Sequence, residues 1–178
     1  MNSEAYGAHD GEPGRQVRRR TDEDVEACVR VLAEIHRADA YPMNWPAQPA
    51  AWLSDGPLLG SWVAELDGRI VGHVNLSRGD GGDAAPDVWT ERHGSQSATA
   101  VVSRLFVAPE ARGHGIGTLL VDHVVAEARR HGLHPVLDVI ASHPSAALYE
   151  RLGWELLATV DRQWPNQTVQ VRCYAAPS

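Results

Sequence analysis

Arg112-Gly113-His114-Gly115-Ile116-Gly117 is the run that most limits what this chain can fold into. It follows an apolar stretch, Ala100-Val101-Val102-Ser103-Arg104-Leu105-Phe106-Val107, and the turn Ala108-Pro109-Glu110-Ala111. A helical pattern begins near Thr118. Strand, glycine-rich turn and helix N-terminus in that order build an anion site, because unpaired backbone N–H groups converge where the helix dipole is positive. A Cβ in the turn would obstruct both positive φ and the close approach of a phosphate. Taken alone, the run is equally compatible with an ordinary tight turn before a helix.

The rest of the chain supplies the frame. Its 178 residues and 43% hydrophobic content suit one domain with its own core. A net charge of −7 argues against general affinity for nucleic acid or anionic membrane, and weakly favours a cationic acceptor. No apolar stretch could span a bilayer, and the N-terminus has no signal-peptide core, so a cytoplasmic protein is expected. Cys28 and Cys173 lack metal-ligand spacing and read as small core residues. His131 and His134 have no evident third partner, so no metal is expected.

Residues 1–16 have the composition of a disordered tail, leaving 17–178 as the domain. Val17 to Arg20 reads as a short strand with Arg18-Arg19-Arg20 on a solvated edge, followed by Thr21 as a helix N-cap. Val25, Cys28, Val29, Leu32 and Ile35 or His36 recur at helical spacing. Residues 40–60 break into a Pro-rich loop or broken helix with Trp45 and Trp52, read as packing residues or pocket lining. Trp62–Leu66, Asp67-Gly68 and Arg69–Leu76 form a hairpin signature. Residues 78–97 read as a long loop, functional or disordered. Strands near 98–107 and 135–141 bracket a helix over 118–131, ended by Gly132. A helix after Pro144 ends at Gly153, and two antiparallel strands, 154–160 and 168–174, close the chain.

Three segments in this order resemble the GCN5-related N-acetyltransferase (GNAT) superfamily. They are the strand Leu105-Phe106-Val107, the Arg/Gln-x-x-Gly-x-Gly/Ala signature met by Arg112, Gly115 and Gly117, and Leu148-Tyr149-Glu150-Arg151-Leu152-Gly153-Trp154. The resemblance implies a single α/β (α+β) domain with a mixed, mostly antiparallel, splayed central sheet flanked by helices. It implies acetyl-CoA as cosubstrate, with pyrophosphate on Arg112, Gly113, His114, Gly115, Ile116, Gly117 and Thr118. His114 is expected to contribute its backbone only. Pantetheine would lie beside Leu105, Phe106 and Val107, in a gap between that strand and the one at 136–140. The acetyl group would pass to a primary amine, expected to be a small molecule, by direct attack. A homodimer stays open.

Two proton transfers follow. A thiolate leaving from a thiol of pKa about 8.5 can take a hydrogen bond or proton from Tyr149, ordinarily near 10. The amine must shed a proton, and Asp138, His73 or Glu65 are the candidate bases. Each has a plainer reading: a core tyrosine with a wet hydroxyl, a structural strand aspartate, a hydrogen-bonded strand histidine. The family's frequent asparagine before the tyrosine helix is replaced around Ser142-His143, and that stretch is shorter than the pattern. Rival readings are a non-catalytic acyl-CoA sensor, an enzyme using a longer acyl-CoA, and one acting on a protein N-terminus or lysine.

Overall fold

The computed structural model describes residues 14–79, 82–94 and 98–178. Most of the proposed tail therefore lies outside the described residues. Strand β1 spans Arg15–Arg19, so Arg15 and Gln16 belong to the sheet rather than to the tail. Then come α1 (Val25–Asp39), a single turn α2 (Pro49–Trp52), β2 (Leu58–Leu66) and β3 (Arg69–Ser77). They are followed by α3 (Ala85–His93), β4 (Thr99–Val107), α4 (Ile116–Arg130), β5 (His134–Ile140), α5 (Ala146–Arg151), β6 (Glu155–Trp164) and β7 (Gln167–Ala175).

The seven strands make one sheet in the order β1-β2-β3-β4-β5-β7-β6. Every pairing is antiparallel except β4 with β5. The β2–β3 turn has φ of 52° at Asp67 and 78° at Gly68, the two positive values that an Asp-Gly hairpin supplies most cheaply. Helix α1 buries Cys28, Val31, Leu32 and Ile35 at helical spacing, and α4 buries Ile116, Leu120, Val121, Val124 and Ala128.

Alternation along the strands sorts the side chains between two covers. Leu137 and Tyr174 are cross-strand partners; Tyr174 meets the ring of Tyr149 on α5 at 6.3 Å. Asp138 and Cys173, the next pair, turn the other way, and Asp138 reaches α3. On the other half of the sheet, Trp62 packs on His123 of α4, while Asn75 donates to the Leu53 carbonyl just after α2.

Helix α3 contradicts the reading of 78–97 as loop. Its N-cap, Ala84, has no capping side chain; instead both carboxylate oxygens of Asp138 accept from the N–H groups of Ala84 and Ala85 at 2.7 and 2.8 Å. The start signal comes from a different strand. The arginine run is also more than a solvated edge. Arg18 pairs with Asp24 at 2.7 Å and Glu65 at 2.8 Å, and Arg20 donates to the Leu53 carbonyl and meets His73.

Candidate active site

A short 3₁₀ turn, Pro109–Ala111, carries the chain from β4 into the glycine run. Gly113 and Gly115 hold φ of 85° and 70°, and α4 starts at Ile116 with Gly115 as its N-cap. No side chain caps this end and no acidic residue lies in its first turn. The first N–H groups of α4 thus have no intrahelical or side-chain acceptor among the described residues, which fits an anion. Arg15 donates to the His114 carbonyl from across the sheet, and Arg112 pairs with Asp39 at the end of α1.

Strands β4 and β5 pair only over Thr99–Val101 and His134–Val136. Beyond that register they part, and a cavity of about 760 Å³ opens between them. It is lined by Leu105, Phe106 and Val107, by Arg112, Gly113 and Gly115 to Thr118, and by Leu137 to Ile140. Tyr149, Leu148 and His143 close it from the α5 side; Asp39, Tyr41 and Trp52 close it from the α1–α2 side. Of the expected cosubstrate residues, only His114 is not among the lining residues, and its side chain is exposed.

Tyr149 is 5% exposed, and burial raises its hydroxyl pKa well above the ordinary phenol value, with nearby Tyr41 adding to the rise. Burial likewise pushes Tyr41 up to about 12. His143 accepts the Ser145 backbone N–H at Nδ1, 3.2 Å away, and its buried Nε2 has no partner among the described residues. Burial lowers its pKa.

The β4 strand is irregular at the cavity. Asn75 pairs with Ser103 but His73 pairs with Phe106, so β4 carries an extra residue there. Arg104 has φ of 52° within this bulge. Its guanidinium lies over the Trp52 ring at 4.0 Å and its side chain lines the cavity.

The three candidate bases are all engaged elsewhere. His73 is fully buried, stacked on Phe106, with Nδ1 donating to the Arg104 carbonyl and Nε2 facing the Arg20 guanidinium, both at 2.9 Å. Burial, reinforced by those arginines, holds its pKa down to about 4. His73 is not among the cavity's lining residues. Asp138 does line it, with both oxygens spent on α3. Glu65 is bound to Arg18 away from the cavity.

The acetyltransferase (GNAT) family model matches residues 25–154, which takes in α1, strands β2 to β5, the glycine run and α5. The chain belongs to the GNAT family. An uncharacterized N-acetyltransferase of Methanocaldococcus jannaschii is 26% identical over 145 residues, 78% of this chain and 60% of the relative. A mycothiol acetyltransferase of Geodermatophilus obscurus is 33% identical over 146 residues, 75% of this chain and 47% of the relative. The chain thus spans about half the length of the curated relatives it matches. Among solved structures, NAA60 of Arabidopsis thaliana in complex with acetyl-CoA superposes with TM-score 0.66 at 20% identity. It covers 90% of this chain and 98% of its own. The Escherichia coli ribosomal-protein-S18-alanine N-acetyltransferase gives TM-score 0.65 at 19% identity over 92% and 93%. These structures share the fold.

Within this GNAT chain, sequence reasoning missed Tyr41, Arg104 and the His73–Arg20 contact as parts or neighbours of the site. Tyr41 sits in a Pro-rich run with no motif, and Arg20 in the arginine run read as a solvated edge. Arg104 lies inside the apolar strand 100–107, where a charged residue between Ser103 and Leu105 is the available signal. Trp52 lines the cavity, whereas Trp45 sits against His36 and is 40% exposed.

Proposed function

We propose that this chain transfers the acetyl group of acetyl-CoA to the amine of a small molecule, by direct attack in a ternary complex. The observation that carries the reading is the parting of β4 from β5 beside an uncapped helix N-terminus, with Tyr149 at the far wall of the same cavity. Family membership and the N-acetyltransferase relatives support the reaction class. A solved structure of the same fold contains acetyl-CoA, and the turn here suits its phosphates: it offers N–H groups, with no acidic residue in the helix's first turn.

In this reading the turn from Arg112 to Thr118 holds the pyrophosphate, and the backbone of Leu105 to Val107 aligns pantetheine. The amine nitrogen attacks the thioester carbonyl, the C–N bond forms and the C–S bond breaks. The sulfur leaves as a thiolate that accepts a hydrogen bond from the Tyr149 hydroxyl. The amine's proton passes to water, since His73, Asp138 and Glu65 are each committed to other partners. The test is thiol release across an amine panel with acetyl-CoA, with the products identified by mass. Absence of turnover with every amine, alongside tight acetyl-CoA binding by calorimetry, would replace this reading with that of an acyl-CoA sensor. The engagement of all three base candidates is what keeps that second reading in play. Competition among acetyl-, propionyl- and succinyl-CoA tests the acyl preference.

A further inference from the structure

Arg104 has an unusual combination of position and company. A left-handed φ at a residue other than glycine is held only where the surroundings impose it, and bulges of this kind redirect a side chain. Here the side chain lies along the cavity wall against Trp52, with Nε 3.4 Å from the Trp52 carbonyl as its one hydrogen bond among the described residues. No carboxylate among the described residues pairs with it. Of the other charged residues along the cavity, Arg112 and Asp39 pair with each other, and Asp138 accepts from the N–H groups of α3. Arg162 donates to the Gly82 carbonyl, and Arg151 is exposed where Arg104 is half-buried. Arg104 is therefore a half-buried, permanent cation whose terminal nitrogens have no protein acceptor among the described residues.

We propose that Arg104 binds a carboxylate carried by the acceptor, so that the acceptor class is an amino acid-like amine rather than a polyamine or simple alkylamine. The inference rests on the acetyl-transfer reading and deepens it. The guanidinium presents a planar fork of donors that matches a carboxylate two bonds at a time. Stacking on Trp52 fixes the plane of that fork and lowers the entropy lost on binding. Arg104 immediately precedes Leu105, so a carboxylate on it would hold a nearby amine beside the stretch proposed to align the thioester. The local cation also reverses the expectation drawn from the net charge of −7: the surface as a whole is acidic, but this position attracts an anion. A protein N-terminus or lysine offers no carboxylate next to its amine as a matter of course, which favours the small molecule.

The experiment uses matched triplets: proteinogenic amino acids, their carboxamides and the corresponding decarboxylated amines. Initial rates with acetyl-CoA are measured for the wild type, Arg104→Gln and Arg104→Lys. The wild type should prefer the carboxylate member by about tenfold or more in kcat/KM, chiefly through KM. Arg104→Gln should erase most of that preference, with the loss falling on the carboxylate member, and Arg104→Lys should restore part of it. A wild type that treats all three alike, or a glutamine variant that lowers all three equally, overturns the proposal. Calorimetry of the same amino acids into CoA-saturated protein separates the two levels of inference. Carboxylate-dependent binding lost in Arg104→Gln, with no turnover in the wild type, sinks acetyl transfer and keeps the anion site. No binding of any amino acid, with turnover of simple amines, sinks the anion site alone. Unchanged acetyl-CoA affinity in both variants verifies that the fold is intact.

Discussion

A buried phenol beside a leaving thiolate is a better hydrogen-bond donor than acid. With ordinary pKa values, moving a proton from tyrosine to a thiolate is uphill by roughly 1.5 units, about 2 kcal/mol. Burial raises Tyr149 further, which widens that gap and keeps the hydroxyl protonated throughout the useful pH range. Tyr149→Phe should therefore reduce kcat by roughly 10- to 100-fold, the worth of one hydrogen bond to a charged atom, with little change in acetyl-CoA affinity. Steady-state rates paired with calorimetry check this, and an unaltered kcat would remove Tyr149 from the reaction. His73 acts on stability instead. Its pKa is about 4 in the fold against an ordinary 6.5. Between those values the unfolded chain binds more protons, so stability rises with pH. The contribution is complete above 6.5 and is lost as pH falls toward 4, to a total of about 3 kcal/mol. Urea midpoints should fall more steeply from pH 7 to pH 5 for the wild type than for His73→Gln. Parallel slopes would mean that His73 does not stay neutral in the fold.

At the scale of the element, the parts readable in the sequence were those whose signals are local. Asp67-Gly68 sets its own turn, α1 carries its apolar spacing, and Gly113 and Gly115 mark the start of α4. Helix α3 was not readable because its cap is supplied by Asp138, 54 positions from Ala84. The same contact gives Asp138, a candidate base through the family resemblance, a structural partner that its own segment does not show. Asp138→Ala should destabilise the fold by about 1 kcal/mol, as loss of a cap does, and speed amide exchange within Ala85–His93 ahead of the rest of the sheet. Uniform exchange along the chain would count against this role. At the other functional turn, Gly115→Val would place a Cβ 2.8 Å from Arg15 Nη1 at a φ of 70°. Acetyl-CoA binding should be lost while the circular dichroism of the fold is retained; preserved affinity would undo the pyrophosphate assignment.

On the scale of the whole molecule, the glycine run and the Leu148–Trp154 segment pointed to the family because each sits at a fixed place relative to β4 and β5. The family resemblance implied the parting of β4 from β5; what no segment disclosed is which charges end beside the gap. Those depend on contacts far apart in sequence: Arg20 on His73, Arg18 on Glu65, Asp138 on α3. Together they give every base candidate a structural partner, and the proposed transfer of the amine's proton to water has a kinetic consequence. With water receiving the amine's proton, the fraction of neutral acceptor sets the rate at low pH, and kcat/KM should rise about tenfold per unit below the acceptor's own pKa. An α-amino group near 8 and a lysine-like amine near 10.4 should give inflections about two units apart on the same enzyme. Neither His73, at about 4, nor the raised Tyr149 would add an inflection between pH 5 and 8. Profiles for two acceptors of different amine pKa, each at saturating acetyl-CoA, distinguish the cases. An inflection that stays fixed when the acceptor changes would belong to a group of the protein, and would return a side-chain base to the mechanism.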